Sequence, residues 1–482
     1  MPLVIDGMLI AGMVLIGWFA IGIIMPSISR MERMSLSFLV GAGISSWSVF
    51  ILGWIGVPIR WPWMLGWMLF MLIAGGWLHS TLRRPNEDRL ISGSSNRGVR
   101  WGHSAIGVFL ALAFCYLGYI SAGRSYSTFD ALSMWAPKGY GIAYEGSLWG
   151  AVQWGNHKLA YPLHIQLLIA MFRIFSGDVL PGSKLIFPLF FISYLLFTYD
   201  YLRRRAVGEL LAIAITLIAA TVPLFVLHAT IGYANLAMAA YLIPGLLWLL
   251  EGVFTGNSRA QILGSLLLGF TVWTIIEGVL YVGAGLAALT LAYLIVRKGK
   301  IHWISALAPL LVVGGAWLLF YMLYAAQESQ AVSAFDQMWL AIRTGQVDFS
   351  DIRLIFGYAR RNIFDVSTWG YLFPIGLVIT VLGLRQLLPR QNPYGFSITL
   401  AVCSLAALSL GLFYLRSFAI EGLYDLLVRG FPRGFMSPAM LFVILYGSVL
   451  PGSVSRMGHL LGGKERRLDS RSVEAAEAQR TV

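Results

Sequence analysis

The stretch from Ser121 to Ile165 gathers the residue types that chemistry needs: the carboxylates Asp130 and Glu145, the cations Lys138 and Lys158, the histidines His157 and His164, and Trp135, Trp149 and Trp154. It interrupts a first half that is otherwise mostly lipid-soluble. Ionisable groups beside membrane segments are costly unless they have a partner or a use. A carboxylate such as Asp130 can take the proton of an approaching hydroxyl, and a fixed cation such as Lys138 can hold a phosphate. A plainer role competes. Ser127 and Asp130 have the Ser-x-x-Asp spacing of a capping box that starts a surface helix. That helix is expected to run through Ala131–Ala136 until Pro137 ends or kinks it, leaving Lys138 near the same side as Asp130 and Met134. For the tryptophans, an interfacial aromatic belt is the ordinary explanation.

Other polar groups stand out. Glu277 sits between two apolar segments, where a carboxylate must be paired or wet. Arg429 and Arg433 flank Gly-Phe-Pro just before the last apolar segment, a placement suited to binding an anion or a lipid headgroup. His157, His164 and His228 match no metal-binding spacing, so no metal site is assigned. Asp130 and Glu145 are oxygen donors of the kind Mg or Mn accepts, which leaves a divalent ion open as a cofactor.

The elements that must position these residues are membrane helices. Of 482 residues, 58% are hydrophobic and 12% charged, against roughly 25% charged in a soluble domain. The net charge of +13 does not point to nucleic acid, because the basic residues cluster between apolar segments and in the tail. Cys115 and Cys403 fall within apolar segments and imply no disulfide framework. The first apolar run lacks a basic leader and a distinct cleavage site, and reads as a retained helix.

Segments of about 20 apolar residues are expected at 3–28, 36–57, 62–81 and 104–121, then at 184–202, 207–228, 233–254, 260–276, 279–297, 303–325, 366–386, 394–415 and 434–455. Arginines at 30, 33, 83, 84, 89, 97 and 100, the cluster Arg203–Arg205, and the tail from Arg456 onward place those gaps in the cytoplasm. The 160–176 segment then cannot fully cross and is expected to be a short re-entrant or interfacial helix buried against protein. The result is a single all-α polytopic domain over 1–455 with roughly 13 crossings and a cytoplasmic tail over 456–482. The extracytoplasmic loops 122–159, 326–365 and 416–433 are left to form a working surface.

Four pieces of sequence resemble the membrane glycosyltransferases of the GT-C fold, the protein-mannosyltransferase-like class that uses polyprenyl-phosphate sugars. Phe129-Asp130-Ala131-Leu132-Ser133-Met134-Trp135-Ala136-Pro137-Lys138, with Tyr161-Pro162-Leu163-His164 following, resembles that family's acid-bearing first external loop. Gly232-Tyr233-Ala234-Asn235-Leu236-Ala237 is similar to a Tyr-Ala-Asp-Leu element, with Asn235 in place of Asp. Thr274-Ile275-Ile276-Glu277-Gly278 is similar to a Thr-Lys-x-Glu-Gly element, with Ile275 in place of Lys. Arg433 to Pro438 is similar to an Arg and Pro near the family's final helices. The first three helices have no counterpart in the minimal family core.

The resemblance implies an inverting glycosyltransferase that moves a sugar from a polyprenyl-phosphate carrier to a hydroxyl of a lipid, glycan or protein acceptor. Asp130 would be the catalytic base, and Lys138, Arg429 and Arg433 the donor-phosphate ligands. Trp135, Glu145, Tyr161, His164, Tyr233, Asn235 and Glu277 are candidate substrate contacts. The expected location is a bacterial inner or plasma membrane, with the active site outside and the C-terminus cytoplasmic. Two rivals are a transporter or flippase of lipid-linked or anionic solutes, and a lipid-diphosphate-dependent glycan ligase or polymerase. The transporter would carry mid-bilayer charges and two similar halves.

Overall fold

The computed structural model describes residues 2–82, 97–126, 128–154, 161–177, 181–205, 207–325, 343–344, 349–417 and 423–460. Among them there is no strand, and nine helices are long and apolar enough to cross a membrane. The chain is an all-helical polytopic membrane protein.

Four helices precede the site: α1 (Pro2–Ile24), α2 (Arg30–Trp54), α3 (Trp61–Leu82) and α4 (Arg97–Ala122). A π-helical turn over Ala131–Trp135 leads into α5 (Ala136–Glu145), followed by α6 (Gly150–Trp154), α7 (His164–Ser176) and α8 (Pro181–Lys184). The central group is α9 (Ile186–Arg204), α10 (Glu209–Ala220), α11 (Pro223–His228), α12 (Ala234–Thr255), α13 (Ser258–Thr274), α14 (Glu277–Val296) and α15 (Trp303–Phe320). The last group is α16 (Phe349–Ile363), α17 (Val366–Trp369), α18 (Leu372–Leu382), α19 (Pro393–Ser417), α20 (Leu423–Gly434) and α21 (Met436–Leu460).

Helices apolar on all sides divide into those covered by protein and those left for lipid. Most of α2, α9 and α12 is buried, whereas α3 exposes Trp63, Leu69, Phe70, Ile73 and Trp77. A water-facing surface of that kind would be untenable; against lipid it costs nothing, because the helix satisfies its own backbone hydrogen bonds. In the interior, α12 packs against α13, and α1 against α2.

The expected spans at 207–228 and 366–386 are each broken. The first stops at Ala220, and Pro223 opens the separate helix α11. The second is split at Gly370, whose φ of 58° ends α17 before α18 begins. Such punctuation leaves helices too short for the full hydrocarbon thickness. The 160–176 segment forms α7, only 13 residues long and buried from His164 through Phe172. The stretch 122–159, expected as a loop, is helical through much of its described part.

Candidate active site

Asp130 stands at the start of the π-helical turn, and the turn has a local cause. Pro137 has no N–H, and in a regular α-helix its ring would press on the carbonyl of Ser133. One wide turn over Ala131–Trp135 accommodates it, with the Ala136 N–H bonded to the Ala131 carbonyl. The extra residue changes which faces coincide. Lys138, expected beside Asp130 as a phosphate ligand, is instead only 1% exposed on a helix packed against α6 and α7. Ser127 of the expected capping box lies outside the described residues, and Asp130 makes no cap hydrogen bond to the turn.

The Asp130 carboxylate is engaged elsewhere. Arg433, 303 residues away in sequence, donates from a guanidinium nitrogen to Asp130 Oδ2 at 2.6 Å. The two side chains keep 21% and 27% of their surface exposed, so the pair is reachable. The guanidinium carbon of Arg433 lies 4.9 Å from the centre of the Tyr233 ring, a cation–π contact. His228, 2% exposed, packs its ring 5.3 Å from that of Tyr233. Burial, and next the Asp130 charge, push the Tyr233 phenol above its ordinary range while Arg433 pulls the other way. The phenol is therefore a neutral donor at physiological pH.

Two features of sequence bring these parts together. Gly232 allows the turn after α11 to approach the start of the π turn: a Cβ there would meet the Tyr126 ring at 2.8 Å and the Ala131 methyl at 3.1 Å. Tyr233 follows directly and caps α12 beside Asp130. On the other side, Pro438 cannot supply the N–H that would bond the Gly434 carbonyl four residues earlier. That carbonyl accepts instead from the hydroxyls of Tyr281 and Ser409. The backbone beside Arg433 is thereby held by α14 and α19.

A second group adjoins the first. Trp135, five residues after Asp130 and so about one π turn along, packs edge-on to Tyr161 at 5.6 Å. The Tyr161 hydroxyl donates to Glu277 Oε1 at 3.3 Å. Glu277 opens α14 and lies one turn from Tyr281. Gly278 permits the tight passage from α13, since a Cβ there would sit 2.4 Å from the Thr271 carbonyl oxygen.

The remaining candidates separate from this centre. Glu145 is exposed at the far end of α5, roughly 20 Å from Asp130 along the helix, too far to share one ion with it. No group of three or more His, Cys, Asp or Glu side chains positioned for a metal occurs among the described residues. The residues present do not fit a bridging Mg or Mn ion. His164 is fully buried: Nδ1 lies 2.6 Å from the Ser46 hydroxyl and Nε2 lies 3.3 Å from the Tyr241 hydroxyl. Tyr241 donates to the Leu39 carbonyl and Trp273 donates to Ser46. Thus His164 ties α2, α7, α12 and α13 together as a core residue and contacts no open surface. Asn235 is half-buried at the start of α12. Arg429 is on α20, with its side chain outside the described residues, as are His157 and Lys158.

Comparisons with protein-family models, curated proteins and solved structures find no match. The functional reading therefore rests on this geometry. Tyr281, Ser409 and His228 complete the centre without having been expected in it. Pro438 was the one available sign that the Gly434 carbonyl would need an outside donor.

Proposed function

We propose that the protein is a membrane glycosyltransferase that takes a sugar from a polyprenyl-phosphate carrier and passes it to an acceptor hydroxyl at the extracytoplasmic face. The observation that carries this reading is the reachable Asp130–Arg433 pair at one end of the bundle, beside the exposed apolar side chains Phe129 and Leu132. A carboxylate, a guanidinium and an apolar surface in one place match the needs of a hydroxyl, a phosphate and a prenyl chain.

In this reaction Asp130 accepts the acceptor's proton as its oxygen attacks the anomeric carbon. The bond from that carbon to the phosphate oxygen breaks, and its electron pair leaves with the phosphate. Arg433 meets the charge that grows there, with the carbonyl of the next residue, Gly434, held by Tyr281 and Ser409 and the Tyr233 ring 4.9 Å from its guanidinium carbon. Glu277, half-buried and bonded by the Tyr161 hydroxyl, is the neighbouring group that would contact sugar or acceptor, and Trp135, 1% exposed, backs Tyr161 from inside. Inversion at the anomeric carbon follows from a single displacement.

The test is sugar transfer by purified wild type and Asp130→Asn, offered a panel of labelled polyprenyl-phosphate sugars with envelope lipids and glycans as acceptors. Wild type should consume one donor, and the equally folded variant should be slower by about 10²- to 10⁴-fold. A wild type that consumes no donor but moves lipid-linked solutes across vesicles would replace this reading with transport.

A further inference from the structure

The resting site raises a difficulty for its own chemistry. A carboxylate that accepts a charge-assisted hydrogen bond through Oδ2 at 2.6 Å has one oxygen turned to the guanidinium instead of to an acceptor hydroxyl. Arg433, meanwhile, already has an anion where the donor phosphate should bind. We propose that Arg433 is an exchangeable anion site whose resting occupant is the Asp130 carboxylate, so that a lipid phosphate must displace Asp130 before it can act as the base. This rests on the transferase reading for its ligand, a prenyl-chain phosphate, but makes a separate claim about competition.

Three features suit Arg433 to an exchange. Its guanidinium has a fork of five donors, and it has supports besides Asp130. The Tyr233 ring lies along it at 4.9 Å, and the next residue is pinned through its carbonyl by Tyr281 and Ser409. The exchange also replaces one single negative charge by another, because a polyprenyl-phosphate sugar is a phosphodiester. No uncompensated charge is left on Arg433 at any stage, which avoids the large penalty of an unpaired, partly buried ion. On the other side, Asp130 immediately precedes the wide turn with 21% of its side chain exposed, so the released carboxylate faces solvent or acceptor.

The same competition would clear the product. Transfer leaves Asp130 protonated and the carrier as a phosphate monoester on Arg433. A neutral carboxylic acid does not contest the guanidinium. Once Asp130 has lost the proton to water, its carboxylate can reclaim Arg433 and the monoester departs. Each cycle therefore forms one bond from the acceptor oxygen to the anomeric carbon, breaks one from that carbon to the phosphate oxygen, and returns one proton to solvent.

The probe is labelled farnesyl phosphate, an isoprenyl monophosphate, titrated against the full-length protein in nanodiscs. Asp130→Asn removes the competing charge with little change in shape, and should bind the probe at least tenfold more tightly than wild type. Arg433→Gln should bind at least tenfold more weakly, and the double variant should match Arg433→Gln, since without the guanidinium nothing is contested. Thermal unfolding confirms that each variant is folded. If Asp130→Asn binds no more tightly than wild type, or if none of the proteins binds the probe, the exchange is overturned. Sugar transfer measured in parallel separates the two ideas. Transfer by wild type with unchanged probe binding in Asp130→Asn removes the exchange and keeps the transferase. Tightened binding without transfer of any sugar keeps the anion site and removes the transferase.

Discussion

The two polar ends of the bundle use the same residue types to opposite effect. The helix α12 spans both, with Tyr233 at one end and Glu251 near the other, roughly 27 Å away. At the Glu251 end, Arg204 lies 2.6 Å from Glu32, 3.4 Å from Asp200 and 3.6 Å from Glu251, while Arg205 reaches Glu251 at 2.9 Å and Arg203 reaches Glu209 at 3.8 Å. Glu32 is also fixed in a capping box with Ser29, and Arg205 lies over the Tyr394 ring at 3.5 Å. At the Tyr233 end, Arg433 meets Asp130 at 2.6 Å.

Arg204 joins α2, α9 and α12 through three carboxylates, so no single contact can leave without stranding charge. The Asp130–Arg433 pair joins two distant parts of the chain, one at the π turn and one before the last helix. A network of the first kind locks helices together; under the proposed exchange, the pair of the second kind opens to a ligand.

Substitutions at the two ends should therefore fail differently. Arg433→Gln should lower transfer by about 10²- to 10³-fold through loss of phosphate stabilisation, while the melting temperature stays close to that of wild type. Arg204→Gln should do the reverse. Leaving Glu32, Asp200 and Glu251 to face one another should cost about 3 kcal/mol of stability, seen in thermal or denaturant unfolding, with transfer per folded molecule unchanged. If both variants lost only stability, the ends would be equivalent and the catalytic reading of Arg433 would fall.

Tyr233→Leu tests a smaller part of the contrast. Losing the ring under Arg433 should cost about 1 kcal/mol of donor binding, read as a rise in KM of about fivefold with kcat nearly kept. The smallest effect concerns pH. The phenol of Tyr233 is raised in the folded protein, so the fold favours its protonated form. That contribution is fully present below the unfolded tyrosine value of about 10 and is lost as pH rises beyond it. Wild type should accordingly lose slightly more thermal stability than Tyr233→Phe above pH about 10. Equal losses would mean that the Tyr233 environment is more open than its packing indicates.

Much of the helical architecture was legible from apolar runs alone, because a bilayer demands long apolar helices and leaves little else available. The runs at 207–228 and 366–386 misled on that same ground: hydropathy does not register the interruptions at Thr221–Pro223 and at Gly370. Asp130 and Arg433 stood out as polar groups near apolar segments, and Tyr233 entered only through the resemblance. Lys138 was placed with them by regular helical spacing, which the π turn before Pro137 breaks. His164 drew notice by its type, yet its two ring nitrogens are occupied by Ser46 and Tyr241 inside the core. Nothing local distinguishes a histidine that serves packing from one that meets a ligand.

What the sequence determined by itself was the solvent this chain lives in and the helical form that solvent imposes, since both depend on composition and on backbone hydrogen bonding within a segment. It also marked, through Pro137, Gly232 and Pro438, where the backbone would depart from regularity. Only the tertiary structure decided that those departures meet, that Arg433 reaches Asp130 across 303 residues, and that Arg203–Arg205 are consumed in an ion network at the other end. Pairing depends on which helices lie side by side, and that is set by the packing of apolar faces whose residue types are nearly interchangeable.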